Sequence, residues 1–189
     1  MATARAWEAA NGLPREIADL LGGNATLLLA IPEHKVALPG GSRPSQCDVF
    51  ALTRSATGTT ALAVEAKVDE PFGPTLRNWL DPDTSGKRAR LQAIIALLGC
   101  STPPDCLHYQ LFHRSASAVI EAGRFGTDNA AIVVQSFSPQ RRWFVEFAAF
   151  CAFLGHDAIP DQPMIHTLPD GRTLTLGWAS GDASFLNPL

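Results

Sequence analysis

The chain has 189 residues, of which 46% are hydrophobic and only 17% are charged, so it can bury one core but carries few surface charges. Its formal net charge of −3 argues against a strong non-specific nucleic-acid binder, which normally has a basic excess. We therefore expect a single domain over residues 1–189, with a second subunit covering part of its surface, most simply in a homodimer.

The cysteines and the N-terminus predict a cytoplasmic protein. The chain contains four cysteines, Cys47, Cys100, Cys106 and Cys151. None stands in a CxxC pair or at zinc-ligand spacing from a histidine, so they are predicted to be reduced thiols. Residues 1–12 lack the apolar core of a signal peptide, and the longest apolar run, Ala25 to Ile31, is too short to cross a bilayer.

Two helices and a strand are predicted at the start of the chain. Ala4 to Ala10 has helix-forming composition. Pro14 is suited to the first turn of a second helix, which runs to about Leu21 and stops at Gly22-Gly23. The short apolar run Ala25 to Ile31 then predicts a buried strand.

Two further strands are predicted to form a hairpin. They cover Asp48 to Leu52 and Ala61 to Val68, and the turn-forming residues between Ser55 and Thr60 separate them. Pro71 to Ser85, which is rich in proline and glycine, is predicted to be irregular.

Helices dominate the second half of the predicted order. Two helices, a strand and a third helix are expected in turn over Lys87 to Leu98, His108 to Arg124, Ala130 to Phe137, and Ser138 to Gly155. Ser138-Pro139 offers N-cap and first-turn chemistry for the last helix. A hairpin follows around Pro169-Asp170-Gly171. The order predicts an α/β fold in which helices flank a mixed central sheet, with a C-terminal β-hairpin.

The segment Leu62 to Val68 alternates apolar and charged residues. Because successive side chains of a strand point to opposite faces, Glu65 and Lys67 share one face and lie about 7 Å apart. Asp48, at the start of the neighbouring strand, is expected opposite Glu65. Two nearby carboxylates repel each other, and a cation such as Mg²⁺ removes that conflict. Lys67 would supply a further positive charge beside an attacking water.

These residues resemble a known motif. Asp48 followed by Glu65-x-Lys67 on an apolar strand resembles the PD-(D/E)xK nuclease pattern, and the element order resembles the helix-strand-strand-strand-helix-strand core of that superfamily. More narrowly, five stretches resemble a bacterial family of unknown function within it: residues 31–35, 38–45, 64–73, 109–114 and 136–139. Cys47 precedes Asp48 where the motif has proline, which is a departure from the pattern.

The resemblance implies a restriction-endonuclease-like fold and Mg²⁺- or Mn²⁺-dependent hydrolysis of phosphodiester bonds, most simply by a DNA endonuclease. In that interpretation Asp48, Glu65 and the backbone of Ala66 hold the metal ion. Lys67 orients or activates the attacking water. An acid from the first helices often joins such sites, and both Glu8 and Glu16 are candidates.

The helix from His108 carries a polar stripe, formed by Gln110, His113, Arg114, Ser117, Glu121 and Arg124. The opposite, apolar side carries Phe112, Ala116, Val119 and Ile120. The resemblance implies that Gln110 contacts metal-bound water or the substrate backbone and that Arg114 binds a phosphate. His113 is a candidate substrate-binding residue because it shares the polar stripe.

Simpler interpretations remain open from the sequence. Glu65 and Lys67 can form an ordinary exposed ion pair, and the polar stripe can be a solvated helix face. The fold can also serve as a catalytically silent binding or assembly module. A hydrolase of a small phosphate-bearing ligand is a third possibility, and low surface charge suits it better than duplex DNA.

Overall fold

A computed structural model, which describes residues 2–186, contains one six-stranded sheet with helices on both faces. In chain order the elements are α1 (Ala2–Ala10), α2 (Arg15–Leu20), β1 (Thr26–Pro32), β2 (Lys35–Val36), β3 (Ser45–Gln46), β4 (Val49–Ser55), β5 (Gly58–Lys67), α3 (Leu76–Leu80), α4 (Ser85–Leu98), α5 (Tyr109–Phe125), β6 (Asn129–Ser136), α6 (Phe144–Phe153), β7 (Met164–Thr167), β8 (Thr173–Ser180) and a 3-10 helix (Ala183–Leu186).

The sheet is mixed, in the order β1-β4-β5-β6-β8-β7. β1, β4 and β5 form an antiparallel meander, and α5 then crosses over so that β6 lies parallel to β5. β8 is parallel to β6, and β7 pairs antiparallel with β8. The predicted α/β fold with a mixed sheet between helices is therefore confirmed, and so are the β4–β5 hairpin and the C-terminal hairpin.

β5 is buried on both faces, and its alternating side chains divide the core in two. Ala61 and Ala63 face the larger cluster, which includes residues of α4, α5 and α6. Leu62 and Val64 face a smaller cluster with Ile17 of α2. The charged end of β5 continues the same alternation, so Glu65 and Lys67 lie on the α5 face of the sheet.

The strand predicted to be buried is instead an edge of the sheet. β1 pairs only with β4 in the sheet order, and Leu28 and Leu29 are 50% and 41% exposed. An apolar run of this length predicts a strand but not its position, because burial depends on which elements cover it. The prediction of a buried strand over Ala25 to Ile31 was therefore wrong in its burial and correct in its conformation.

Two other local predictions also differ from the structure. The helix expected from Ser138 begins only at Phe144, because Ser138 forms a turn in which its Oγ accepts a hydrogen bond from the N–H of Arg142 at 3.2 Å. The region Pro71 to Ser85 is not wholly irregular, since the short helix α3 lies in it with Thr75 as its N-cap.

Within residues 2–186, no helix combines the length and the apolar character needed to cross a bilayer. The four cysteines are free thiols: Cys47 and Cys151 are buried, Cys100 is half-buried and Cys106 is exposed.

Candidate active site

Asp48 lies at the point where the pairing of β4 with β5 ends. The last paired residues are Val49 and Val64, and the N–H of Asp48 donates to the Val64 carbonyl at 3.1 Å. Oδ2 of Asp48 accepts a hydrogen bond from the N–H of Ala66 at 2.6 Å. The register thus places Asp48 opposite Glu65, as the sequence predicts, and fixes its carboxylate beside the charged end of β5.

Glu65 is held by three donors. Its Oε1 accepts hydrogen bonds from Nζ of Lys67 at 2.8 Å and from Nε2 of Gln110 at 2.6 Å. Its Oε2 accepts from Nε of Arg114 at 2.6 Å. Glu65 is 4% exposed and Lys67 is 2% exposed, so the pair is not the ordinary surface ion pair that the sequence left open.

Two acids and two bases therefore share one small region. Asp48 and Glu65 carry the negative charges, and Lys67 and Arg114 carry the positive ones. Removing charged groups from water costs several kcal/mol each unless partners compensate them, so a buried cluster of this kind is a poor way to stabilise a fold. Its position in a pocket makes it a candidate functional site.

The electrostatics of the cluster shift two pKa values. Burial, assisted by the charge of Glu65, raises the pKa of Asp48 to about 6, against the opposing effects of the Ala66 N–H and the nearby cations. Burial, assisted by the charges of Arg114 and Arg90, lowers the pKa of His113 to about 3. At neutral pH Asp48 is consequently ionised and His113 is uncharged.

The polar stripe of α5 faces protein along most of its length, and only Arg124 at its end is exposed. Arg114, Ser117 and Glu121 are buried, and Glu121 lies 3.3 Å from Nε2 of His34. The apolar side is buried as well, with Phe112 fully enclosed. A solvated helix face is therefore the wrong interpretation of this stripe, because the sheet covers the polar side while other helices cover the apolar one.

A second network extends the site away from Glu65. Nη1 of Arg114 donates to Oγ of Ser45 at 2.8 Å, and Oγ of Ser45 lies 2.9 Å from Nδ1 of His113. Since the Ser45 hydroxyl accepts from Arg114, its own proton is available to Nδ1, and the proton of the neutral imidazole then lies on Nε2. His113 is thereby oriented with a donor on the far side of its ring.

The predicted residues line one pocket of about 470 Å³. It is bounded by Asp48, Glu65, Ala66, Lys67, Gln110, His113 and Arg114, together with the loop residues Glu70, Pro71, Phe72, Gly73 and Pro74 and with Tyr109. All seven side chains or backbone positions singled out from the sequence are therefore brought together. Their chemical roles stay predictions.

Neither candidate acid of the first helices lines the pocket around Glu65. Glu16 accepts a hydrogen bond from Nε2 of Gln135 at 2.7 Å, and Gln135 shares the sheet face of Ala131 and Val133, opposite to Glu65. Glu8 lines a separate, mainly apolar pocket that also borders Asp48.

The oxygen atoms at and near Asp48 are suitable ligands for a hard cation that keeps much of its hydration water. Residues 2–186 contain no group of three or more His, Cys, Asp or Glu placed to hold a metal ion. Mg²⁺, however, often takes only one or two protein carboxylates and completes its shell with water and substrate oxygens. Oδ1 of Asp48 has no hydrogen-bond partner within the described residues, and the Ala66 carbonyl points to the same strand edge as the N–H bound by Asp48.

Several residues around the site were not singled out from the sequence. Ser45 lies in a loop of glycine, serine and proline, and Tyr109 stands among apolar helix positions, so neither has a local signal. Trp79 lies in α3, within the region that was predicted to be irregular.

Comparison with known proteins gives one match. A family model described as "Domain of unknown function (DUF6946)" matches residues 1–183, a range that includes every residue of the pocket. No curated protein and no solved structure matches the chain.

Proposed function

The chain belongs to the DUF6946 family, and from the geometry of its pocket we propose that it hydrolyses phosphodiester bonds with the help of Mg²⁺ or Mn²⁺. The observation that carries the proposal is the meeting of Asp48 and Glu65 from adjacent strands in one open pocket, with Lys67 bound to Glu65 at 2.8 Å. Oxygen ligands and a nearby cation are what in-line attack on phosphorus requires.

The topology supports this proposal. An antiparallel meander of β1, β4 and β5, followed by α5 and the parallel strand β6, is the order implied by the resemblance to PD-(D/E)xK nucleases. Glu65 lies on the third strand of that meander, and Asp48 directly precedes the second. A nuclease, most simply a DNA endonuclease, is the activity that this resemblance implies.

The residues of the pocket divide the work between them. Asp48, Glu65 and the Ala66 carbonyl would hold the cation, which when bound would polarise the phosphoryl oxygens and lower the pKa of a bound water. Asp48 is ionised at neutral pH, as a ligand must be. Lys67 and Gln110 donate to the same oxygen of Glu65, so both lie within reach of a water next to it.

Arg114 and His113 are placed for the substrate. Arg114 uses Nε on Glu65 and Nη1 on Ser45, which holds the plane of its guanidinium at the wall of the pocket. Its charge would stabilise a phosphate there. Neutral His113 would contribute a hydrogen bond from Nε2.

A catalytically silent binding or assembly module is the second candidate. Both oxygens of Glu65 are engaged by protein donors, so a metal ion would have to share or displace one of them. The net charge of −3 also disfavours tight binding of duplex DNA. Calorimetric titration with Mn²⁺ separates the candidates. Binding to wild type that is lost in Asp48→Asn supports the metal site, and absence of binding to wild type favours the silent module.

A nicking assay tests the enzyme. Supercoiled plasmid, linear DNA with 5′-phosphates, 5′-phosphorylated single-stranded DNA and RNA are incubated with Mg²⁺ or Mn²⁺ and wild type, Lys67→Met or Lys35→Met. Lys35 is an exposed lysine on β2, so its variant is matched for charge. We expect Lys67→Met to lower cleavage by about 10²-fold or more and Lys35→Met to leave it unchanged. The absence of cleavage by wild type on every substrate, or full activity of Lys67→Met, would contradict the proposal.

A further inference from the structure

A second pocket, of about 380 Å³, adjoins the candidate active site. The two pockets share the wall formed by Pro74, Tyr109, His113 and Arg114. The outer wall of the second pocket comes from the loop that includes Arg43 and Pro44 and from Trp79 and Arg90. We call it the arginine pocket. A ligand bound in it would lie next to the candidate active site.

The arginine pocket has an excess of positive charge. Its lining contains Arg43, Arg90 and Arg114 and no carboxylate. Glu65 neutralises Arg114, but Arg43 and Arg90 have no acidic partner within salt-bridge distance in the described residues. A pocket lined in this way attracts an anion.

Arg90 and Tyr109 have polar atoms that the protein leaves unsatisfied. Arg90 is 8% exposed, and its Nε donates to the Pro39 carbonyl at 3.1 Å. By geometry, its Nη2 and the hydroxyl of Tyr109 are both buried without a hydrogen-bond partner in residues 2–186. Burial raises the pKa of Tyr109, and a weak hydrogen bond from Arg90 opposes that rise, so the two groups are at most loosely paired with each other. Buried polar groups of this kind are uncommon unless a ligand or water completes them.

The framework of the pocket is tightly packed. The ring of Trp79 stacks on that of Tyr109, with centroids 3.8 Å apart and planes inclined by 10°. Gly40 lies against α4 so closely that a Cβ there would come within 2.4 Å of the backbone N of Arg90. The guanidinium of Arg90 is thus held in place before any ligand arrives, which reduces the entropy lost on binding.

We propose that the arginine pocket binds a phosphate monoester group, and that the protein therefore acts next to a phosphorylated end and not along an uninterrupted duplex. This second part rests on the proposed hydrolytic function. Two arginines without acidic partners match a phosphate dianion, and the volume leaves room for the sugar or ring that carries it. A phosphodiester within a duplex continues into the strand on both sides, so it would fit an open basic groove better than this pocket.

The test measures binding without cleavage. Isothermal titration in EDTA, at pH 7.5 and low salt in a buffer free of phosphate, compares inorganic phosphate, thymidine 5′-monophosphate, and a short oligonucleotide with and without a 5′-phosphate. Tighter binding of the phosphorylated oligonucleotide identifies a strand end as the source of the group. Tighter binding of the mononucleotide or of inorganic phosphate supports the phosphate site but overturns the second part of the proposal, because the ligand is then a small molecule.

Matched arginine variants assign the binding to the pocket. Arg90→Gln is expected to weaken phosphate binding by about tenfold or more and exposed Arg43→Gln by about threefold, whereas Arg88→Gln, on the same helix but paired with Asp83 outside the pocket, leaves it unchanged. Thermal unfolding shows whether Arg90→Gln folds, and Arg43→Gln decides the matter if it does not. Absence of phosphate binding, or equal binding by Arg43→Gln and Arg88→Gln, overturns the inference. Phosphate binding without nuclease activity would refute only the proposed function.

Discussion

Nε of Arg114 lies 2.6 Å from Oε2 of Glu65, although 49 positions separate the two residues in the sequence. The contact joins α5 to β5 across the interface of helix and sheet. The Arg114 side chain is 10% exposed and that of Glu65 is 5% exposed, so each charge depends on the other to offset the cost of its removal from water. This ion pair therefore contributes both to the stability of the fold and to the geometry of the pocket.

Removing one partner should destabilise the fold strongly. Arg114→Met would leave Glu65 with one cation and Ser45 without its charged donor, and we expect a loss of about 3–5 kcal/mol in the free energy of unfolding, measured by urea denaturation. Arg77→Met, which breaks the exposed pair with Asp105, should cost less than about 1 kcal/mol. A loss of similar size for both variants would mean that the Arg114 pair is not buried in solution.

The raised pKa of Asp48 predicts the pH dependence of one variant. Because the pKa rises from 3.8 to about 6 on folding, the native state binds more protons than the unfolded state between these values. The favourable contribution is fully present below pH 3.8 and disappears as pH rises through 6. Asp48→Asn should therefore stabilise the metal-free protein at pH 7.5 by up to about 3 kcal/mol, with a smaller gain at pH 5.

Asp128 provides a control of opposite sign. Hydrogen bonds from the N–H and hydroxyl of Thr59 lower the pKa of this exposed carboxyl, so its contribution is present above the unfolded value and is lost on acidification. Asp128→Asn should destabilise the protein at pH 7.5, and chemical denaturation at several pH values checks both variants. Destabilisation by Asp48→Asn at pH 7.5 would contradict the prediction, because it would show that the folded protein favours the ionised form of Asp48.

His113 should make the protein sensitive to acid. Burial and the neighbouring arginines lower its pKa from 6.5 to about 3, so the unfolded state binds more protons in that interval and stability falls as pH falls below 6.5. His113→Asn removes the titrating group, and the variant should lose less free energy of unfolding than wild type between pH 7 and pH 5. Parallel curves for the two proteins would contradict this.

Gly40 should tolerate no side chain. Its φ is +79°, and an added Cβ would meet backbone atoms of Arg90 and Gly86 at 2.8 Å or less. Gly171 has a φ of +85° but open space around it, so Gly171→Ala isolates the backbone strain. We expect Gly40→Ala to cost about 1–3 kcal/mol more than Gly171→Ala in thermal or urea unfolding. Equal effects would mean that the loop moves away from α4 without cost.

The expected homodimer is proposed to form through β1. This strand is an edge, its backbone is open to another strand, and Leu28 and Leu29 are exposed on it. Leu28→Lys should shift the protein from dimer to monomer in size-exclusion chromatography with light scattering. Val145→Lys changes an equally apolar residue, 75% exposed on α6, and should have no effect. A monomeric wild type, or dissociation by Val145→Lys, would exclude β1 as the interface.

The local pattern of the sequence determined most of the elements and the inventory of the site. Alternation along Leu62 to Val68 placed Glu65 and Lys67 on one face of a strand, and a short turn after Ser55 implied the hairpin that brings Asp48 opposite Glu65. The predicted end of the helix at Leu98 was also correct, and Gly99, with a φ of +65°, caps α4 there. Such features depend on neighbours a few residues apart, whose geometry the backbone itself imposes.

Only the tertiary structure decided which elements become neighbours. That β1 is an edge, that β8 joins β6, and that the polar side of α5 faces the sheet depend on contacts between distant segments. Arg90 lines the arginine pocket because the loop at Gly40 packs on α4. Burial and pairing across such distances arise from the competition of all surfaces for a common core, and no local period records its outcome.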